Sequence, residues 1–140
     1  MADRRVILAL TMALAARAPA TAQATQAHSP ADTVTTLQGV FTFEQANRGK
    51  DIYAGNCRSC HTPETHTGPV FTTIWNGRSV ADLYSFVRER MPKNDPGALT
   101  EQEYVDVVAY MLKMNKLPMG ETELQADSLM LARVRIEIKP

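Results

Sequence analysis

Five consecutive residues constrain this 140-residue chain more than any other feature: Cys57-Arg58-Ser59-Cys60-His61. Two thiols and an imidazole at that spacing are what covalent attachment of a c-type haem requires. Each sulfur can add across one vinyl group of the porphyrin, and the histidine after the second thioether lies beneath the ring and ligates iron. A chain tied at three points to one flat apolar group has to fold around it. Two other chemistries use C-x-x-C. A thioredoxin-like redox pair needs a βαβ context that the sequence does not offer. A zinc site with His61 and His66 as further ligands crowds all four ligands into ten residues without a second knuckle. The chain has two cysteines, both in the motif, so none remains for a structural disulfide.

The length fits one domain, and a 44% hydrophobic composition can fill one core. Residues 1–22 carry Arg4 and Arg5, an apolar run from Val6 to Ala16, and small residues ending Ala20-Thr21-Ala22, the layout of a secretory signal cleaved near Ala22. That run is too short to span a bilayer, and no later segment of 18 apolar residues exists, so no membrane span is expected in the mature form. Removing the leader leaves 12 basic against 14 acidic residues, which argues against nucleic acid as a partner. Attachment of haem needs reduced thiols and haem delivered outside the cytoplasm, so motif and leader together point to a bacterial periplasm.

Residues 23–41 are polar and aperiodic, with Pro30 and Gly39, and read as a flexible arm in which His28 is a solvated side chain. A first helix is predicted from Thr42, as a capping box with Gln45, to about Ala54. Gly49 inside that helix costs about 1 kcal/mol relative to alanine and marks a close approach by another helix. The segment 62–73, with Pro63, Gly68 and Pro69, reads as a loop. Ser79 and Asp82 cap a second helix with Val80, Leu83, Tyr84 and Val87 on one stripe, ending near Arg90 before Met91-Pro92. Thr100 and Glu103 open a third, to about Lys113, with Tyr104, Val107, Val108, Met111 and Met114 on its buried side. Residues 117–140 form a tail expected to wrap the domain, with a helical turn near Ser128 to Ala132 and an extended stretch from Arg133 to Ile138.

The pattern resembles a class I c-type cytochrome over residues 42–116, and its tail is similar to those of cytochromes in dehydrogenase-linked bacterial chains. The resemblance implies an all-α cytochrome c fold whose N- and C-terminal helices cross over the haem through Gly49, with Tyr104, Val107 and Tyr110 opposite. It implies that the Pro69 carbonyl accepts a hydrogen bond from His61, fixing its tautomer, and that Met91 is the second iron ligand. His66 ranks below Met91 for that role. Met111, Met114 and Met119 are better explained by packing.

Iron held by His61 and Met91 has no open position, so the expected chemistry is outer-sphere electron transfer rather than catalysis. The expected partners are redox proteins: a periplasmic dehydrogenase, a terminal oxidase or another cytochrome. The alternatives are a haem enzyme or sensor with an open distal site, and a fixed cytochrome subunit of a dehydrogenase complex. Arg78, Arg88, Arg90 and Lys93, against Asp82 and Glu89, predict a basic rim for an acidic partner.

Overall fold

The computed structural model describes residues 34–139. The leader predicted over residues 1–22, and residues 23–33 of the arm with His28, lie outside the described residues. The fold is all-α apart from one pair of two-residue strands: α1 (Phe43–Asn56), α2 (Gly68–Trp75), α3 (Val80–Arg90), α4 (Glu101–Met114) and α5 (Ser128–Ala132), with β1 (Val34–Thr35) parallel to β2 (Val134–Arg135).

Local chemistry sets the helix starts. Ser79 and Asp82 form a reciprocal capping box at α3, and Thr100 and Glu103 do the same at α4. At α1 the Thr42 hydroxyl accepts from the Gln45 amide at 3.0 Å, but the Gln45 side chain does not reach back. It is fully buried, accepts from the Leu124 amide at 2.9 Å, and donates to the Leu124 carbonyl at 2.9 Å and Asp106 Oδ1 at 3.2 Å. A buried amide has to be satisfied, and the tail supplies both a donor and an acceptor.

The segment 62–73 corrects the sequence expectation of a loop: Pro63–His66 form a 3-10 turn and α2 follows at once. Pro69 breaks nothing there because it occupies the first turn, where its missing N–H has no partner to lose. Phe71 and Trp75, one turn apart, are both buried. That two-residue stripe was too short to register as a period.

The central packing is α1 against α4. A Cβ placed on Gly49 lies 1.8 Å from the Asp106 carbonyl oxygen and 2.9 Å from the Val107 nitrogen, so the two backbones touch where the sequence put the crossing. Asp106, only 3% exposed, accepts from Arg48 Nε at 2.8 Å, Gln102 Nε2 at 2.8 Å and Gln45 Nε2 at 3.2 Å. Arg48 also grips Glu123 of the tail at 2.8 Å.

Residues 34–41, read from sequence as part of a flexible arm, belong to the packed domain. Phe41 is fully buried and its carbonyl accepts from the Gly120 amide at 2.7 Å. The buried Thr36 hydroxyl donates to the Glu137 carbonyl at 3.0 Å and accepts from its amide at 2.9 Å. Polar composition hid one large apolar anchor, and full burial of such a side chain is worth about 1.5–3 kcal/mol. The tail runs around the molecule, burying Leu117, Leu124, Leu131 and Ile136. Ile136 exchanges backbone hydrogen bonds with the turn after α2, accepting from Gly77 at 2.7 Å and donating to Arg78 at 2.8 Å.

Candidate cofactor site

Cys57 caps the C-terminus of α1, its amide donating to the Tyr53 carbonyl at 2.9 Å. Its own carbonyl then accepts from Cys60 at 3.1 Å and His61 at 2.9 Å. The motif is therefore one compact turn continuing α1, which places both sulfurs and the imidazole on one wall of a cavity of about 370 Å³. The other walls come from Val70, Phe71, Ile74 and Trp75 of α2, Phe86 and Val87 of α3, Met91 to Asn94 beyond it, and Val107 and Met111 of α4. The lining is apolar with a few polar groups at its edge, the usual composition of a cofactor pocket.

Both cysteines are free, Cys57 half-buried and Cys60 exposed. Burial pushes the Cys57 thiol up, away from the thiolate character that a redox-active pair requires. Among the described residues no group of three or more His, Cys, Asp or Glu side chains is arranged to hold a metal ion. His66 also lines the cavity, its ring 4.8 Å from that of His61. Burial, aided by the neighbouring His61, holds its pKa below the usual histidine range and favours the neutral ring.

Three observations fit these walls to a flat apolar cofactor. Val70, Ile74 and Phe86 line the cavity yet are 50%, 47% and 40% exposed, an apolar face that no described residue covers. Tyr53 is also a lining residue; its buried hydroxyl has no hydrogen-bond partner among the described residues, and burial pushes its pKa up to about 12. Two unbridged thiols stand at the same wall. Each is explained if haem lies against this face, held by Cys57 and Cys60 with His61 beneath it.

Met91 is the C-cap residue of α3, in extended backbone, and lines the cavity from the end opposite α1 in sequence. Met111 lines it too, from the buried face of α4, whereas Met114 and Met119 are not among the lining residues. The structure does not bring Pro69 to His61. Pro69 sits exposed in the first turn of α2, outside the lining, and among the described residues no hydrogen bond joins it to His61. A helix there, instead of a loop, points its carbonyl along the helix axis. What holds the segment is Asn115, at the end of α4, which donates to the His66 carbonyl at 2.9 Å and accepts from the Gly68 amide at 3.0 Å.

The basic rim is smaller than the sequence implies. Arg88 is paired with Glu101 of α4 at 2.7 Å. Arg90 lies 5.3 Å from the Phe86 ring centroid. Arg78, stacked 5.6 Å from the Trp75 centroid, and Lys93 do reach the cavity. Sequence reasoning missed Val70, Ile74, Trp75 and Phe86 as site residues. The available signal was Val70 and Ile74 at helical spacing beside Phe71 and Trp75.

Residues 44–111 match the family model described as cytochrome C oxidase, cbb3-type, subunit III. No curated protein and no solved structure gives a significant match.

Proposed function

This chain is a class I c-type cytochrome, and we propose that it carries single electrons between a periplasmic dehydrogenase and a downstream acceptor such as a terminal oxidase. The family implies covalently bound haem c and haem-based electron transfer. Haem c, when bound, supplies one-electron chemistry at its iron.

The residues divide the work. Cys57 and Cys60 would hold the porphyrin through thioethers, and His61, whose amide donates to the Cys57 carbonyl, would ligate the iron. Met91, which lines the same cavity, would be the second ligand. Its soft thioether favours the ferrous state and raises the reduction potential above that of two histidines. Phe71, Trp75, Val87 and Val107, all buried, keep water from the ring and act in the same direction. Arg78 and Lys93 line the cavity and exposed Arg58 sits inside the attachment turn, positive charge that supports an acidic redox partner. The leader and the thioether chemistry support a periplasmic location.

The observation that carries this reading is a single cavity wall bearing Cys57, Cys60 and His61, with the Met91 segment completing the lining. The test is exposure of the ferrous protein to carbon monoxide. An electron carrier with both axial positions filled leaves its spectrum unchanged, whereas stoichiometric binding identifies an open-site enzyme or sensor. A fixed subunit of an oxidoreductase complex is a second reading, favoured by the match to an oxidase subunit model. It shares the same iron chemistry and differs in co-purifying with its complex.

A further inference from the structure

The geometry points to Tyr104 as a positioning residue that locks the Met91 segment in place through its hydroxyl. This deepens the reading of Met91 as distal ligand and rests on it. Tyr104 lies in the first turn of α4 and is 1% exposed. Its hydroxyl donates to the Met91 carbonyl at 2.8 Å and accepts from the Gly97 amide at 2.9 Å. One oxygen therefore ties both ends of the segment from Met91 to Gly97 to the helix that crosses α1.

The segment has little else to hold it. Within it, residues 93–97 are exposed, Asp95 donates to Pro92 at 2.9 Å, and Ala98 donates to Asp95 at 3.3 Å. Those turn bonds shape the segment without attaching it to the core. Met91 is fixed on its other side by its amide on the Val87 carbonyl at 2.9 Å. The Tyr104 hydroxyl supplies the complementary attachment on the carbonyl side, so the thioether is presented from a backbone held at both peptide groups. The other tyrosine hydroxyl in this region binds elsewhere: that of Tyr84 donates to Glu101.

An added ligand reaches ferric iron only when Met91 swings away, so its apparent affinity scales with the fraction of molecules in which the segment is released. Removing the hydroxyl leaves the Met91 carbonyl and Gly97 amide without their partner and raises that fraction. Tyr104→Phe in the haem-loaded protein should bind imidazole about tenfold more tightly than the parent, the equivalent of about 1.4 kcal/mol. Its long-wavelength thioether-to-iron band should fade at correspondingly lower imidazole. Tyr110→Phe removes a hydroxyl from the same helix without touching this segment, and its imidazole affinity should equal the parent's.

Affinity within about twofold of the parent in Tyr104→Phe, or an equal gain in both variants, overturns the proposal. Met91→Ala separates the two levels: if it keeps the thioether band, the ligand reading has failed; if it loses the band while Tyr104→Phe behaves as the parent, only the lock has failed. Should Tyr104→Phe not accumulate, amide exchange in the parent decides. Gly97 should then be protected well beyond exposed Asn94, and equal exchange at the two amides overturns the lock.

Discussion

Gly49→Ala puts one methyl group into the contact that organises the domain. The new Cβ would lie 1.8 Å from the Asp106 carbonyl oxygen and 2.4 Å from its carbon, both backbone atoms. Ordinary contact needs about 3.4 Å or more, so α1 and α4 must part by about 1.6 Å. Neither helix can yield alone, because Arg48 and Gln45 reach Asp106 across the same interface at 2.8 and 3.2 Å. Overpacking a well-filled core costs about 1–3 kcal/mol, and backbone against backbone belongs at the upper end. At about 4–8 °C per kcal/mol for a domain of this size, 3 kcal/mol lowers the thermal midpoint by about 12–24 °C. Gly55→Ala in the same helix is the control, since its Cβ meets nothing within 4 Å. It should be stabilising by about 0.5–1 kcal/mol through helix propensity. Thermal unfolding of the haem-loaded variants, followed by circular dichroism, gives both numbers. Equal effects from the two substitutions would refute the crossing as the reason for Gly49.

Asp106→Ala strips the buried Gln45 amide of a partner and breaks one half of the Arg48 clamp, while Arg48 keeps Glu123. Urea unfolding should show a loss of about 3 kcal/mol, and a loss under about 1 kcal/mol would mean that the tail network is incidental. Acid should destabilise the fold through carboxylates held below their ordinary range: Glu123 by Arg48, Glu101 by Arg88, and Asp82 by the Ser79 hydroxyl. Because folding lowers these pKa values, their contribution is complete above the unfolded values near about 4 and is lost as pH falls through the folded ones. The thermal midpoint should be flat above about pH 5 and fall below about pH 4, less steeply in Arg48→Gln. Arg58→Glu with Lys93→Glu should slow electron transfer to an acidic redox protein and weaken its salt dependence without altering the absorption spectrum. A bimolecular rate indifferent to both changes removes the docking surface.

The attachment turn, the three long helices and the Gly49 crossing were legible because each rests on local chemistry: C-x-x-C-H, Ser or Thr paired with an acid at capping distance, and a glycine on a buried stripe. What escaped notice depends on partners distant in sequence. Gln45 reads as a capping residue until Leu124 and Asp106 take its amide. Residues 34–41 read as an arm because the groups that hold them, Gly120 and Glu137, lie in the tail. The segment 62–73 reads as a loop because Pro69 is a helix breaker everywhere except in the first turn, where it sits. Arg88 looks free in the sequence because its partner, Glu101, lies 13 residues away at the start of α4. The Tyr104 hydroxyl gives no sequence signal, since a tyrosine on a buried stripe looks like packing.

Electron transfer without catalysis rests on an iron site closed by His61 and Met91. Met111 lines the same cavity, so the two methionines are the discriminating pair. The most direct measurement is the long-wavelength absorption of the ferric protein in the parent, in Met91→Ala and in Met111→Ala, each with covalent haem verified by mass. The weak thioether-to-iron band should be present in the parent, absent in Met91→Ala and retained in Met111→Ala. A band that survives loss of Met91 and disappears with Met111 would make Met111 the ligand and overturn the assignment of Met91.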